Sequence, residues 1–86
     1  MKDLDRLYEF GVEQFGLKQA DRYFDGLIAR FEIIARNPWL APAVEHLLSG
    51  LRRSVYFSHS IYYLSDASGI QIIRILGRED VTQALR

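Results

Sequence analysis

Residues 50–63 read GLRRSVYFSHSIYY, and residues 70–76 read IQIIRIL. β-branched and aromatic residues dominate both stretches, and short polar segments separate them, which is typical of strands joined by tight turns. We therefore predict three antiparallel strands at about residues 51–57, 60–65 and 70–76. The turns are predicted at Ser58-His59 and at residues 66–69. The last strand is apolar on both of its alternating sets, so we expect it in the sheet interior rather than at an edge.

Two amphipathic segments precede the predicted strands. Apolar residues recur at helical spacing over about residues 2–15 and again over about residues 17–36. Gly16 gives the backbone freedom that ends the first helix, and Asn37-Pro38 stops the second because proline disfavours the helical conformation in the residue before it. The order predicts an α+β fold in one domain, residues 1–86. An antiparallel helical hairpin packs on a small antiparallel sheet of three or more strands.

The connection between helices and strands, residues 37–50, contains two prolines and several apolar residues that must pack against the rest of the domain. A short helical turn near Val44 to Leu48 is possible. We expect Trp39 to cover the core, with a place on a partner surface as the alternative.

The tail that follows Gly77 is polar at first, but it ends with apolar residues that would let it dock: Val81, Ala84 and Leu85.

Composition narrows the functional classes. Eleven basic and eleven acidic residues give a formal charge of zero, so charge alone does not indicate nucleic-acid binding. The chain has no cysteine, which excludes disulfides and thiol chemistry and fits a reducing compartment. Its first twenty residues include acids and are amphipathic, so neither a signal peptide nor a membrane span is expected. We expect a cytoplasmic protein.

The arginines of the predicted strands are the main candidates for recognition. Alternation sends Arg52 and Arg53 to opposite faces of the sheet, where either one can bind a carboxylate or phosphate with two hydrogen bonds. Arg74 lies in an otherwise apolar strand, where a charge is costly unless it is paired or presented to a partner. Arg78 would extend the same positive patch. The alternative for each arginine is an ion pair within the chain. For Arg74 the partner would be an acid such as Glu45 or Asp80.

Tyr62 is the fifth candidate for partner contact, because an exposed tyrosine of the sheet can stack on a partner. The alternative is packing within the sheet. No catalytic residue is expected: His46 and His59 lack neighbours at metal-ligand spacing, and the sequence has no nucleophile elbow or phosphate-binding glycine loop. We expect no metal and no cofactor. These absences favour a protein that binds over one that catalyses.

The whole pattern resembles the ParE branch of the RelE/ParE superfamily of bacterial toxins. The resemblance covers nearly the whole chain and is carried by these motifs: residues 13–16, 19–20, 35–38, 50–53 and 61–63, together with residues 73–76. It implies a toxin that inhibits DNA gyrase by direct binding in the bacterial cytoplasm. It also implies a ParD-like or related antitoxin that neutralises the toxin in a hetero-oligomeric complex.

Two departures from the family pattern bear on function. Family members commonly begin with a strand, whereas this chain starts with the first helix, so a sheet edge is expected to be open to a partner's strand. Gly77 also stands where the family often has a histidine. Two alternatives therefore remain. One is a ribosome-dependent mRNA interferase of the RelE branch. This alternative is disfavoured because the chain has few lysines and no convincing acid–base pair for RNA cleavage. The other is a non-toxic relic that still binds an antitoxin.

Overall fold

The computed structural model describes residues 2–77 and shows two helices followed by three strands. In chain order the elements are α1 (Lys2–Phe15), α2 (Leu17–Arg36), β1 (Arg52–Tyr56), β2 (His59–Asp66) and β3 (Gly69–Leu76). The predicted α+β class is confirmed. Both helices have the predicted bounds, and each strand lies within one or two residues of its predicted position. The predicted arginine Arg78 and the rest of the tail lie outside the described residues.

A single residue, Gly16, joins the two helices. Its φ of 86° lies in the left-handed region, which glycine adopts without steric cost, so the chain reverses between Phe15 and Leu17. The helices then pack side by side, and the Tyr8 ring meets the Phe24 ring edge-on at 5.4 Å between centroids. The Tyr8 hydroxyl donates a hydrogen bond to the Asp21 carboxylate at 2.6 Å. The helical hairpin thus forms as predicted.

The three strands form one antiparallel sheet in the order β1-β2-β3. The prediction that the last strand is internal is wrong, because β2 is central and β3 lies at an edge. A register shift at Tyr62/Tyr63 makes Ile73 an extra residue of β3, a β-bulge that offsets the alternation. As a result Ile72 and Ile75 pack on one face of the sheet, and Ile73 and Leu76 pack on the other. The first turn also differs from the prediction: Phe57 and Ser58 form it, and Phe57 has a φ of 51°.

Both faces of the sheet carry a buried cluster, which explains why β3 is apolar on both sides. The helices cover one face, and the core between them includes Leu27, Ile34, Ile61, Tyr63 and Ile75. On the other face Leu51, Tyr62 and Leu76 are covered by Val44 and Leu47 of the connection between α2 and β1. A small domain gains most of its stability from such contiguous burial. The connection therefore acts as a third layer.

The connection consists of turns. At the position where a short helical turn was considered, near Val44, the structure has one turn, in which Leu47 N–H donates a hydrogen bond to the Val44 carbonyl. The buried Tyr63 hydroxyl donates to the Pro38 carbonyl at 2.6 Å and fixes the start of the connection. Burial raises the pKa of Tyr63, against the lowering effect of the Arg52 charge. The prediction that Trp39 covers the core is wrong, since Trp39 is 73% exposed.

Candidate interaction surface

Arg52 and Arg53 begin β1 and have different surroundings. The Arg52 guanidinium donates to the Ala41 carbonyl at 2.7 Å, so it holds the connection against the sheet. The Arg53 side chain is exposed and makes no hydrogen bond or ion pair with any other residue between 2 and 77. Because an exposed guanidinium can bind a carboxylate with two parallel bonds, Arg53 remains available for a partner.

Arg74 pairs with Asp3 at the start of α1. Its Nε donates to Asp3 Oδ2 at 2.8 Å and its Nη2 to Asp3 Oδ1 at 3.2 Å. The same carboxylate accepts the backbone N–H of Ile75 at 2.8 Å. Burial alone would raise the pKa of Asp3, but the bonds from Arg74 and Ile75, with the nearby Arg6 charge, lower it on balance. Among residues 2–77 the charge of Arg74 is thus balanced by Asp3 and not by Glu45, and Asp80, the other predicted partner, lies outside the described residues.

The prediction that Tyr62 is exposed is wrong. It lies between Arg53 and Arg74 in one row of residues across the sheet, but only 1% of its surface is exposed. Val44 and Leu47 pack against it, so its ring stabilises the second face of the sheet instead of presenting a surface. No local sequence pattern indicates that the connection between α2 and β1 folds over this face.

The exposed Arg53 borders a groove that sequence reasoning missed, which we call the α2/β1 groove. Arg30 and Arg53 flank it, Ile33 and Val55 are among its exposed apolar residues, and its volume is ≈480 Å³. The Arg30 guanidinium donates to the Val55 carbonyl at 2.6 Å and lies 5.5 Å from the centre of the Tyr56 ring. An apolar floor with cationic rims fits a partner segment that carries both apolar and acidic side chains.

A signal for this groove is present in the sequence. Ile33 extends the apolar face of α2 beyond the width that the core needs, and Val55 alternates with the buried Ser54 and Tyr56. An apolar residue on the outward side of both elements indicates a contact surface. Trp39 and Leu40, which are also exposed, extend the apolar area at the end of α2.

The structure brings together one tyrosine and one histidine that the sequence analysis did not pair. The Tyr23 hydroxyl lies 2.7 Å from His59 Nδ1, and burial raises the pKa of Tyr23. Within residues 2–77 no group of three or more His, Cys, Asp or Glu side chains could hold a metal ion.

Neither helix within residues 2–77 is long and apolar enough to cross a membrane. Among the described residues, the α2/β1 groove combines exposed apolar side chains with arginines, a combination that suits contact with another macromolecule.

Comparison with known proteins identifies the class. The sequence profile of the family described as "ParE toxin of type II toxin-antitoxin system, parDE" matches residues 1–82. The chain is 34% identical over 74 residues to Toxin ParE1 of Caulobacter vibrioides, covering 86% of this chain and 76% of the relative. It is 27% identical over 84 residues to Toxin ParE1 of Mycobacterium tuberculosis, covering 95% of this chain and 86% of the relative. The chain belongs to the ParE toxin family of type II toxin-antitoxin systems, as its sequence pattern indicated.

Proposed function

We propose that this protein is the toxin of a type II toxin-antitoxin pair that inhibits DNA gyrase in the bacterial cytoplasm by direct binding. A cognate ParD-like or related antitoxin neutralises it in a hetero-oligomeric complex. The family match over residues 1–82 is the observation that carries this proposal. The exposed α2/β1 groove supports it, because inhibition by contact requires an apolar surface that a partner can cover.

Within this proposal Arg53 is the principal contact for a partner. It is exposed at the rim of the α2/β1 groove, and its charge is not balanced by any other side chain between residues 2 and 77. Arg78 keeps its proposed contact role. Arg52 contributes by holding the connection in place, and Arg74 by holding the start of α1. Tyr62 contributes by stabilising the second face of the sheet.

Expression of the chain in bacteria without an antitoxin tests toxicity. Growth arrest accompanied by induction of the DNA-damage response is expected, because a toxin that traps gyrase on cleaved DNA leaves breaks. Unaffected growth at a confirmed level of folded protein would contradict the toxin assignment and favour the non-toxic relic.

A matched pair of charge reversals tests the groove. Arg53→Glu is expected to weaken binding roughly tenfold for whichever partner uses the groove, because it places a negative charge at a rim that fits acidic side chains. Arg22→Glu makes the same change on an exposed part of α2 that does not line the groove, and it should stay within twofold of the parent. Gyrase inhibition and neutralisation by the antitoxin are measured separately. If Arg53→Glu changes neither, the groove is not the contact surface.

The mRNA interferase alternative rests on the Tyr23 and His59 contact. RNA cleavage also requires charge stabilisation beside the phosphate. Arg6 is the basic residue that shares a hollow with His59 among the described residues. A ribosome-dependent RNA cleavage assay with the parent and His59→Ala decides the question. Cleavage that disappears in His59→Ala would establish this alternative, and no cleavage in either protein is the expected result.

A further inference from the structure

Among residues 2–77, the β3 edge is unpaired over the part of the strand that follows the turn from β2. The two-residue turn directs the backbone N–H groups of Ile70 and Ile72 away from β2. Neither N–H group donates to another described residue on the outer side of the strand. The Asp3 carboxylate protects the edge at Ile75, about 10 Å from Ile72. Outward backbone groups of this kind are a template for a further strand.

The spacing of these outward groups allows β3 to pair with a second β3. In an antiparallel pair with a two-fold axis through Gln71, Ile70 of each copy lies opposite Ile72 of the other. Each of these pairs exchanges two hydrogen bonds, so every outward N–H group finds an acceptor. An axis through Ile72 would place Ile70 opposite Arg74, whose backbone groups point towards β2. The edge therefore matches its own copy best in the register centred on Gln71.

The side chain of Gln71 is suited to a position that faces itself. It is exposed, and in this register the two Gln71 residues form a pair without backbone hydrogen bonds, with Cα atoms about 4.5 Å apart. Because a primary amide is both a donor and an acceptor, the two side chains can bind each other reciprocally. A charged side chain would instead face a like charge across the axis. The half-buried Ile70 and Ile72 on either side would lose further contact with water.

The charges beyond the paired residues are also complementary. A hollow at the β3 edge is lined by Lys2, Asp3, Ile73 and Arg74. Because Asp3 and Arg74 form an ion pair, Lys2 gives this lining a net positive charge. Antiparallel pairing places the turn of the second copy, which carries the exposed Asp66, beside Ile73 and hence beside the hollow. The two-fold axis repeats this attraction on both sides of the pair.

We propose that a second copy of this chain pairs with the β3 edge, in an antiparallel and two-fold symmetric register centred on Gln71. The two described sheets then join into one continuous sheet. The pairing is short, because the β-bulge at Ile73 interrupts the strand, and a short pairing buries less surface than a stable complex does. The dimer should therefore dissociate on dilution, which leaves the amides of Ile70 and Ile72 open to water in dilute protein.

One consequence concerns other partners. A strand of another protein that pairs with the β3 edge must displace the second copy, so self-association and binding at this edge compete. The inference does not depend on toxicity, because its test reads the association of the isolated full-length chain.

Opposite charges introduced at the same position test the symmetry of the pair. Gln71→Lys and Gln71→Glu each place like charges opposite one another, so each variant alone should dimerise about fivefold more weakly than the parent. An equimolar mixture of the two variants places opposite charges across the axis. The mixture should therefore associate more tightly than either variant alone, to within about twofold of the parent. Sedimentation equilibrium of the full-length proteins over a wide concentration range measures each dissociation constant.

Gln14→Lys is the matched control. It makes the same change at an exposed position about 16 Å along α1 from Asp3, and it should leave the dissociation constant unchanged. Urea denaturation checks that every variant is folded. Amide exchange of Ile70 and Ile72 in the parent should become slower as the protein concentration rises. A parent that stays monomeric at every concentration, a dimer that neither Gln71 substitution weakens, or a mixture no tighter than the single variants would overturn the proposal.

Discussion

The two edges of the sheet are closed in different ways. Along the β1 edge the connection runs beside the strand: Arg53 N–H donates to the Pro42 carbonyl at 3.1 Å, and Val44 N–H donates to the Leu51 carbonyl at 2.8 Å. Arg30 then binds the Val55 carbonyl at 2.6 Å. At the β3 edge, the corresponding contact within the described part of the chain is the Asp3 carboxylate, which accepts Ile75 N–H at 2.8 Å.

This difference shows how the fold manages backbone groups that no neighbouring strand can bind. Among residues 2–77, the β1 edge is protected along most of its length, whereas the β3 edge is protected at Ile75. Asp66 and Gly69 close a two-residue turn, so the alternation along β3 directs the amides of Ile70 and Ile72 away from β2. An edge with outward amides can accept an additional strand. The β3 edge is therefore where we expect a partner's strand to pair.

Removal of the Asp3 carboxylate should have the largest effect. Asp3→Ala removes the carboxylate that accepts hydrogen bonds from the Ile75 amide and the Arg74 guanidinium, and Asp3 is only 6% exposed. We expect a loss of about 2–3 kcal/mol in the free energy of unfolding, measured by urea denaturation. Asp5→Ala removes an exposed carboxylate from the same helical turn and should change stability by less than about 0.5 kcal/mol. Equal effects of the two variants would show that Asp3 does not protect the edge.

Arg30→Ala should have a smaller effect at the other edge. The variant loses the bonds to the Val55 carbonyl and the Ser54 hydroxyl, as well as the contact with the Tyr56 ring. Water can reach part of this site, so a loss of about 1–2 kcal/mol is expected. Arg22→Ala serves as the matched control in the same denaturation experiment. If Arg30→Ala lost more free energy of unfolding than Asp3→Ala, the β1 edge, and not the β3 edge, would be the more vulnerable one.

Amide hydrogen exchange should distinguish the two edges without mutation. The amides of Arg53 and Ile75 are bonded to the Pro42 carbonyl and the Asp3 carboxylate, so they should exchange slowly. The outward amide of Ile72 should exchange at least tenfold faster than either. Protection of Ile72 equal to that of Ile75 would mean that the β3 edge is already covered.

The change with pH in the stability that Asp3 contributes should be the smallest of these effects near pH 7. The folded pKa of Asp3 is lowered from 3.8, so its contribution to stability is complete well above that value and is lost as the pH falls through the folded pKa. The stability difference between the parent and Asp3→Asn should therefore be constant near pH 7 and should shrink below about pH 4. A difference that grows in acid would have the wrong sign for this carboxylate.

Sequence patterns predicted the helices and the strand count because those features depend on local periodicity. The position of β3 could not be inferred in the same way. A strand that is apolar on both sides indicates two covered faces, and here the second cover is the connection rather than another strand. Tyr62 was misassigned for the same reason, since Val44 and Leu47 bury it.

The candidate site was harder to predict than the fold. Arg74 and Asp3 are 71 positions apart, and no local pattern links them. Arg53 was identified because an arginine at the start of a strand is a general candidate for recognition. The outward apolar residues Ile33 and Val55 are visible in the patterns of α2 and β1, but their meeting in one groove depends on how α2 packs across β1, which neither pattern shows. Trp39 was expected on the core because large apolar side chains are usually buried.

The most direct test of the account is a gyrase cleavage and supercoiling assay with the purified full-length chain, run beside a ribosome-dependent RNA cleavage assay. We predict that the protein inhibits supercoiling and increases gyrase-bound cleaved DNA while ribosomal mRNA stays intact. Unchanged gyrase activity together with cleavage of mRNA would contradict the claim that this toxin acts by contact alone.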